Sequence, residues 1–326
     1  MALERESAEG SVKTEPLEVQ VLRSLRVTPL QVALTFQTPW RGPSMKTLLL
    51  RSGLGFHLRQ RECITGASRC DGCTSKSNCW YSLIFDTPGE LVPQGRGRDR
   101  AVSHPFYFCS APALGNVPGG TRLPCLLTVF GSPDPVVRKV VGALQDAGAS
   151  GRWGAKFGVD AVVSAIQPGL FRSGWEVAAS VEWPCWQFGS AQQTSAIRVQ
   201  FLSPLRLRIR GVVQRRPTFG EFARALLRRI HLLASLYSQA ELDRGWAGPL
   251  LASAQIARTI GQEWRYVREA RFSGRQQQEL VMDGVWGGME VVGDLSALWS
   301  FLEVGQWLGV GASTAHGFGC YTVERI

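Results

Sequence analysis

The sequence predicts an α+β protein in which one order of elements, β-α-β-β-α-β, occurs twice. Three observations lead there. Alternation of apolar and polar residues marks short strands, and apolar residues three and four apart mark helices. The two kinds of segment come in the same order in each half. A length of 326 residues suits about two domains of roughly 150 residues.

In the first half, Val27 to Trp40 alternates Val32, Leu34 and Phe36 with polar neighbours, which is a strand pattern. Pro43-Ser44 opens a helix that runs to about Arg61 with Leu50, Leu54 and Leu58 on one face. Tyr81 to Phe85, Phe106 to Cys109 and Leu123 to Phe130 read as strands. Pro135 to Ala147 reads as a helix with Val137, Val140, Val141 and Leu144 inward, and Phe157 to Ile166 as a further strand. The stretch from Gln167 to Thr194 is weakly patterned and holds the predicted change of domain. The division expected is a flexible acidic tail over 1–18, a first domain over 19–190 and a second over 191–326.

The second half begins with the strand-like run Ile197 to Ile209, in which Leu205, Leu207 and Ile209 alternate with Arg206, Arg208 and Arg210. One sheet face is then cationic. Thr218 and Glu221 have the spacing of a capping box ahead of a helix with the stripe Phe222, Leu226, Ile230, Leu233 and Tyr237. Arg224, Arg228 and His231 share a second stripe, either a rail for RNA or an ordinary solvated face. A helix from Gly293 through Leu302 and a strand from Gly319 to Val323 complete the order. Two such units are two tandem ferredoxin-like, or RRM-like, domains.

Charge points to a polyanionic partner. The net formal charge is +10, although Glu4, Glu6, Glu9, Glu15 and Glu18 crowd the first 18 residues, so the remainder is more basic still. Most of the 36 basic residues are Arg, whose planar fork suits phosphates and base edges. A GC-rich coding bias gives the same excess. No run of about 18 apolar residues suits a membrane span, and no basic segment leads into an apolar core as in a signal peptide. A cytoplasmic protein with no membrane partner is expected.

The eight cysteines form one cluster, Cys63, Cys70, Cys73 and Cys79, and four singles. The spacing C-x6-C-x2-C-x5-C within a Gly- and Ser-rich loop at 62–80 suits a structural zinc held by four thiolates, which leaves no coordination position open for catalysis. Redox-active or unligated thiols are the alternatives. The singles Cys109, Cys125, Cys185 and Cys320 read as small core residues.

The stretch Gly305 to Tyr321, GQWLGVGASTAHGFGCY, places Gly309, Gly311, Gly317 and Gly319 just before the last strand. Glycines let a backbone turn tightly and let successive N–H groups cradle phosphate, or simply form a pair of hairpin turns. With this loop the sequence resembles the CRISPR-associated precursor-crRNA processing endoribonucleases of the RAMP superfamily, which end in a G-x-G…G-F-G-x-Y loop. Arg271-Phe272-Ser273-Gly274-Arg275-Gln276 is similar to the R-Y-S-x-R-Q element of that family, and Met282 to Met289 to the strand region after it. Ser52 to Arg59, the four cysteines and Trp80 to Phe85 resemble the first helix and cysteine insertion of one branch. Phe201 to Leu205 and Leu227 to Ile230 resemble the opening strand and helix of the second domain. The loop departs from the family pattern in lacking a Lys between Val310 and Gly317.

The resemblance implies cleavage of a repeat RNA with no catalytic metal, by attack of a 2′-hydroxyl that leaves a 2′,3′-cyclic phosphate. Histidine suits that chemistry, because its pKa near 6.5 lets it act as base or acid. The candidates are His57, in the first helix between Arg51 and Arg59, and His316, in the loop. The bland accounts are a core-edge histidine for His57 and a solvent-facing turn residue for His316. His231 ranks behind them, and His104, before Pro105, reads as structural. RNA contacts are expected from Arg51, Arg59, Arg206, Arg208, Arg210, Arg228, Arg271 and Arg275, from Gly309, Gly311, Gly317 and Gly319, and from the segment Gln94 to Arg100. Implied partners are CRISPR repeat RNA or crRNA, other subunits of an effector complex, and target DNA reached through that complex. A non-cleaving crRNA-binding or structural subunit is the alternative.

Overall fold

The computed structural model describes residues 15–41, 45–67, 70, 72–85, 103–110, 116–167, 171–173, 184–189, 192–238, 245–273 and 278–326. The segment Gln94 to Arg100 and Arg275 lie outside them.

The first half builds an antiparallel sheet from β1 (Val27–Phe36), β2 (Phe106–Ser110), β3 (Arg122–Phe130), β4 (Phe157–Ser164) and the short β5 (Phe171–Ser173), in the order β2-β3-β1-β4-β5. Helices α2 (Lys46–Glu62) and α4 (Pro133–Ser150) cover one face, α3 (Trp80–Phe85) packs on α2, and α1 (Leu17–Ser24) precedes β1. The alternation in β1 does its work here, since Leu30, Val32, Leu34 and Phe36 meet Leu50, Leu54 and Leu58 of α2 and Val137, Val140, Val141 and Leu144 of α4. Each such side chain contributes roughly 1.5–3 kcal/mol on burial. Helix α4 starts at Pro133, whose missing N–H costs nothing in a first turn, and stops at left-handed Gly151.

The second half repeats the topology with β6 (Ala196–Phe201), β9 (Arg258–Ser273), β10 (Gln278–Val292) and β11 (Tyr321–Arg325), in the order β11-β6-β10-β9. Numbered within each unit, both sheets run 4-1-3-2, with β5 as an extra edge strand in the first. The halves are thus tandem ferredoxin-like units. Helices α5 (Phe219–Tyr237), α6 (Ala247–Ile256) and α7 (Ser296–Gly305) belong to the second, and a small hairpin joins β7 (Arg208–Ile209) to β8 (Val212–Val213). Both reciprocal bonds of the predicted capping box form, Glu221 N–H to Thr218 Oγ1 and Thr218 N–H to the Glu221 carboxylate.

Three expectations change. Tyr81 to Phe85 is helical, and the winding stacks Tyr81 on Phe85 four residues later at 5.9 Å. The run Leu205 to Arg210 is not one alternating strand. Leu205 bridges to Val285, Arg206 bridges to Gly311, and only Arg208 and Ile209 enter the hairpin. Residues 17 and 18, assigned to the acidic tail, open α1, whose Val21 and Leu22 are buried with β1 residue Val27 in the core of the second half.

Candidate nucleic-acid interface

The two halves meet where the glycine-rich stretch seals the free edge of β2. On one side of that strand, Tyr107 and Cys109 point into the core of the second half, the Tyr107 hydroxyl donates to the Phe318 carbonyl at 3.4 Å, and the Cys109 thiol donates to the Gly317 carbonyl at 3.3 Å. On the other, Ser110 Oγ lies 2.8 Å from Thr47 Oγ1 at the start of α2. Gly317 fits against that pair only because it lacks a side chain. Its φ is +83°, and a Cβ would stand 2.6 Å from the Thr47 methyl. Gly311, at φ +89°, approaches the Arg206 carbonyl equally closely. Gly309 and Gly319 also have positive φ.

Many of the loop amides face inward. Val310 donates to Gly319, Ala312 to Arg206, His316 to Ser313, Gly317 to Thr314, Gly319 to Pro204 and Cys320 to Ser203 Oγ. These N–H groups are satisfied by internal acceptors, so at those positions the loop acts as a joint and not as the phosphate cradle expected from its glycines.

Arg206 is part of the same joint. Its guanidinium donates to Asp283 Oδ1 at 2.9 and 3.2 Å and to Ser313 Oγ at 3.1 Å, while the Tyr266 hydroxyl donates to Asp283 Oδ2 at 3.0 Å. Burial alone pushes the Asp283 carboxyl up, but the hydrogen bonds from Arg206 and Tyr266 outweigh it and hold the carboxyl below its ordinary value. Arg208 and Arg210, by contrast, are exposed on the β7–β8 hairpin, which turns at left-handed Arg210 and Gly211. Arg215, missed by the sequence reading, stacks its guanidinium 4.6 Å over the Tyr266 ring, and Arg216 is exposed beside it. Through Tyr266, Arg215 borders the overhanging part of the β9–β10 hairpin, where β6 pairs with β10 only from Gly288 to Val292.

Comparison with known proteins agrees with this two-part architecture. Residues 25–176 match a family described as an N-terminal domain, and residues 199–321 match the family of the CRISPR-associated endoribonuclease Cas6. No curated protein matches the chain. Among solved structures, Thermus thermophilus Cas6 is similar at 13% identity and a TM-score of 0.54, over 92% of this chain and 99% of that one. A Cas6 product complex gives 15% and 0.55, over 91% and 100%. The partial Cas6-RT-Cas1–Cas2 complex gives 12% and 0.55, over 94% of this chain and 47% of that one. At such identities the likeness is one of fold.

The stretch matched to the Cas6 family holds two of the four histidines, His231 and His316. His316 sits in a 3-10 turn, Thr314–His316, with both ring nitrogens out of solvent, and so is not the solvent-facing turn residue of the bland reading. His231 accepts from Trp246 Nε1 at 3.3 Å and stacks on that ring, an internal packing role. His57 is 8% exposed. Burial pushes its pKa down, more than the Asp146 charge raises it, and Arg152 lowers it further. Ten residues after Thr47, it lies about 15 Å farther along the helix axis at 1.5 Å per residue. The fold does not bring His57 and His316 together.

The remaining candidates divide the same way. Arg228 is exposed on α5 with Arg224. Its neighbour Arg229 is half-buried across the seam, donating to the Leu308 carbonyl and to Ser103 Oγ, with its pKa lowered to about 10 by burial. Arg59 donates to the Ala67 carbonyl and lies over the Tyr81 ring, and Arg51 reaches His104. Arg271 pairs with Leu280 in the β9–β10 ladder.

Cys63, Cys70, Cys73 and Cys79 line one recess with Thr65 and Ala67. The Cys63 thiol is slightly buried, which works against ionisation, but bonds from Thr65 and Gly66 and the Arg59 charge hold its pKa below the ordinary value. That favours the thiolate a metal needs. Among the described residues, no three His, Cys, Asp or Glu side chains converge closely enough to hold a metal ion. The donor set matches zinc in kind and number.

Proposed function

We propose that the protein binds the repeat RNA of a CRISPR precursor transcript, cleaves it with no catalytic metal, and keeps hold of the crRNA end within an effector complex. The observation that carries this reading is the Cas6 domain itself, locked by its glycine-rich loop onto the first half and bordered by the exposed Arg208, Arg210, Arg215 and Arg216. In the reaction, the 2′-oxygen bonds to phosphorus as the P–O5′ bond breaks. One product ends in a 2′,3′-cyclic phosphate and the other in a 5′-hydroxyl. A base takes the 2′-hydroxyl proton, the departing 5′-oxygen takes one from water, and arginine offsets the charge on the phosphate.

The test is incubation of the full chain with labelled repeat RNA, with and without EDTA, beside the same RNA carrying a 2′-deoxy at the cut. Products that survive EDTA and vanish with the 2′-deoxy substrate support the proposal. Binding without products supports the alternative of a crRNA-holding subunit, which the inward-facing loop amides and the missing loop lysine favour. Our proposal for the cysteine loop is a structural zinc on Cys63, Cys70, Cys73 and Cys79. Metal analysis of the full chain should find one zinc, and Cys70→Ser with Cys73→Ser should remove it and lower the melting temperature. A chain without zinc and with unchanged melting in that variant contradicts the assignment.

A further inference from the structure

His104 is placed as a working group by three elements. It lies two residues before β2, and its ring faces the helix layer, nearly parallel to Phe85 and Phe106 at centroid distances of 6.0 and 6.2 Å and an interplanar angle of 24° in both cases. Phe85 reaches this position because α2 carries Gly55 there, where a Cβ would stand 2.6 Å from the ring. Arg51, on the same helix, lays its guanidinium 4.2 Å over Phe85 and brings Nη2 to 3.2 Å from His104 Nε2. A guanidinium can only donate. Nε2 therefore presents its lone pair to Arg51, which makes the ring a neutral imidazole with its proton on Nδ1.

The backbone before the ring is held from the other half of the molecule. The Tyr237 hydroxyl of α5 donates to the Ser103 carbonyl at 2.6 Å, and Arg229, also of α5, donates to Ser103 Oγ and to the Leu308 carbonyl just ahead of the glycine-rich loop. The same helix thus fixes His104 and the start of the loop. The aromatic column continues through Tyr81, stacked on Phe85, to Arg59. Alternating rings and guanidinium groups of this kind suit a single-stranded nucleotide, which offers a flat base to the rings and a phosphate to the cations.

We infer that His104, held by Arg51, is the base that takes the 2′-hydroxyl proton in RNA cleavage, in place of His57 or His316. The inference rests on the proposed nuclease reading. A phosphodiester that binds the Arg51 guanidinium draws it off Nε2 and leaves that lone pair at hydrogen-bond distance from the 2′-hydroxyl of the same linkage. The proton passes from the 2′-oxygen to Nε2, the 2′-oxygen bonds to phosphorus, the P–O5′ bond breaks, and Arg51 stays on the phosphate oxygens. Tyr237 and Arg229 are positioning residues.

The experiment compares single-turnover cleavage of repeat RNA in EDTA by the full-length wild type, His104→Ala, His104→Gln, Arg51→Ala and His57→Ala, with RNA binding and thermal melting measured in parallel. We expect His104→Ala and His104→Gln to cleave about 10²- to 10⁴-fold more slowly while binding within threefold of wild type. Added imidazole should restore part of the rate to His104→Ala and none to Arg51→Ala. Cleavage by folded His104→Ala or His104→Gln within threefold of wild type overturns the inference, as does a loss rescued by imidazole in His57→Ala alone. A wild type that binds the RNA and never cuts it overturns the nuclease reading itself, an outcome distinct from either.

Discussion

The two sheets share one topology and treat their edges in opposite ways. In the first half, β2 is a five-residue edge strand, and its Tyr107 and Cys109 bond to carbonyls of the glycine-rich loop of the second half. In the second half, β9 and β10 extend 16 and 15 residues as a hairpin that overhangs its neighbour β6, and the arginines beside the overhang are exposed. An unpaired edge invites association with another chain. One edge is buried to make a single body of the two halves, and the other, among the described residues, is left open and charged. The comparison teaches that the conspicuous glycines serve the sealed edge, while on the proposed reading the exposed cations of the open one add phosphate contacts to that of Arg51.

The sealed edge gives the largest expected effect. Gly317→Val places a β-branched residue at φ +83° against Thr47, and should destabilise the fold by at least about 2 kcal/mol from backbone strain and collision together. Urea denaturation measures this, and a variant as stable as wild type breaks the comparison. The open edge gives a different signature. Arg208→Ala with Arg210→Ala should reduce the slope of log affinity against log salt by about 2, near 1 for each phosphate no longer neutralised, with melting unchanged. Arg206→Ala should do the reverse. It leaves the part-buried Asp283 carboxylate without its main partner, at a cost of about 2 kcal/mol, and leaves the salt slope as it was. Equal salt slopes in the two variants contradict the division of labour between them.

The smallest effect is the pH dependence of His57. Its folded pKa lies below the ordinary 6.5, so the unfolded chain takes up a proton first as the pH falls. The stability conferred by the neutral ring is complete above about pH 7 and declines as the pH drops through 6.5, until the folded group protonates as well. Denaturation at pH 7.5 and 5.5 should show a smaller loss for His57→Asn than for wild type. An identical loss in both rules out His57 as the source.

Much of the fold was legible in the sequence because it rests on local patterns. The period-two alternation of β1 and the Thr218–Glu221 box each specify their element within a few residues. What failed depended on distant partners. Leu205 to Arg210 alternates like a strand, yet Arg206 turns to Asp283, 77 residues on. Tyr81 to Phe85 is a short aromatic run that periodicity alone cannot separate from a strand. Helix α6, with Pro249 near its start, and the charged strand β9 have no apolar stripe strong enough to mark them. The same holds for the candidate site. His57 stood out because it is the histidine of the first helix, where the family resemblance implies the base, whereas His104, ahead of Pro105, read as structural because its partner Arg51 is 53 residues away and its backbone is gripped by α5, 134 residues ahead.

The most direct test of the account is mass analysis of the products formed from repeat RNA by the full chain in EDTA. It should find a 2′,3′-cyclic phosphate on the upstream fragment and a 5′-hydroxyl on the downstream one, with neither formed from 2′-deoxy RNA. Intact RNA bound to the protein, or a 5′-phosphate on the downstream fragment, would contradict it.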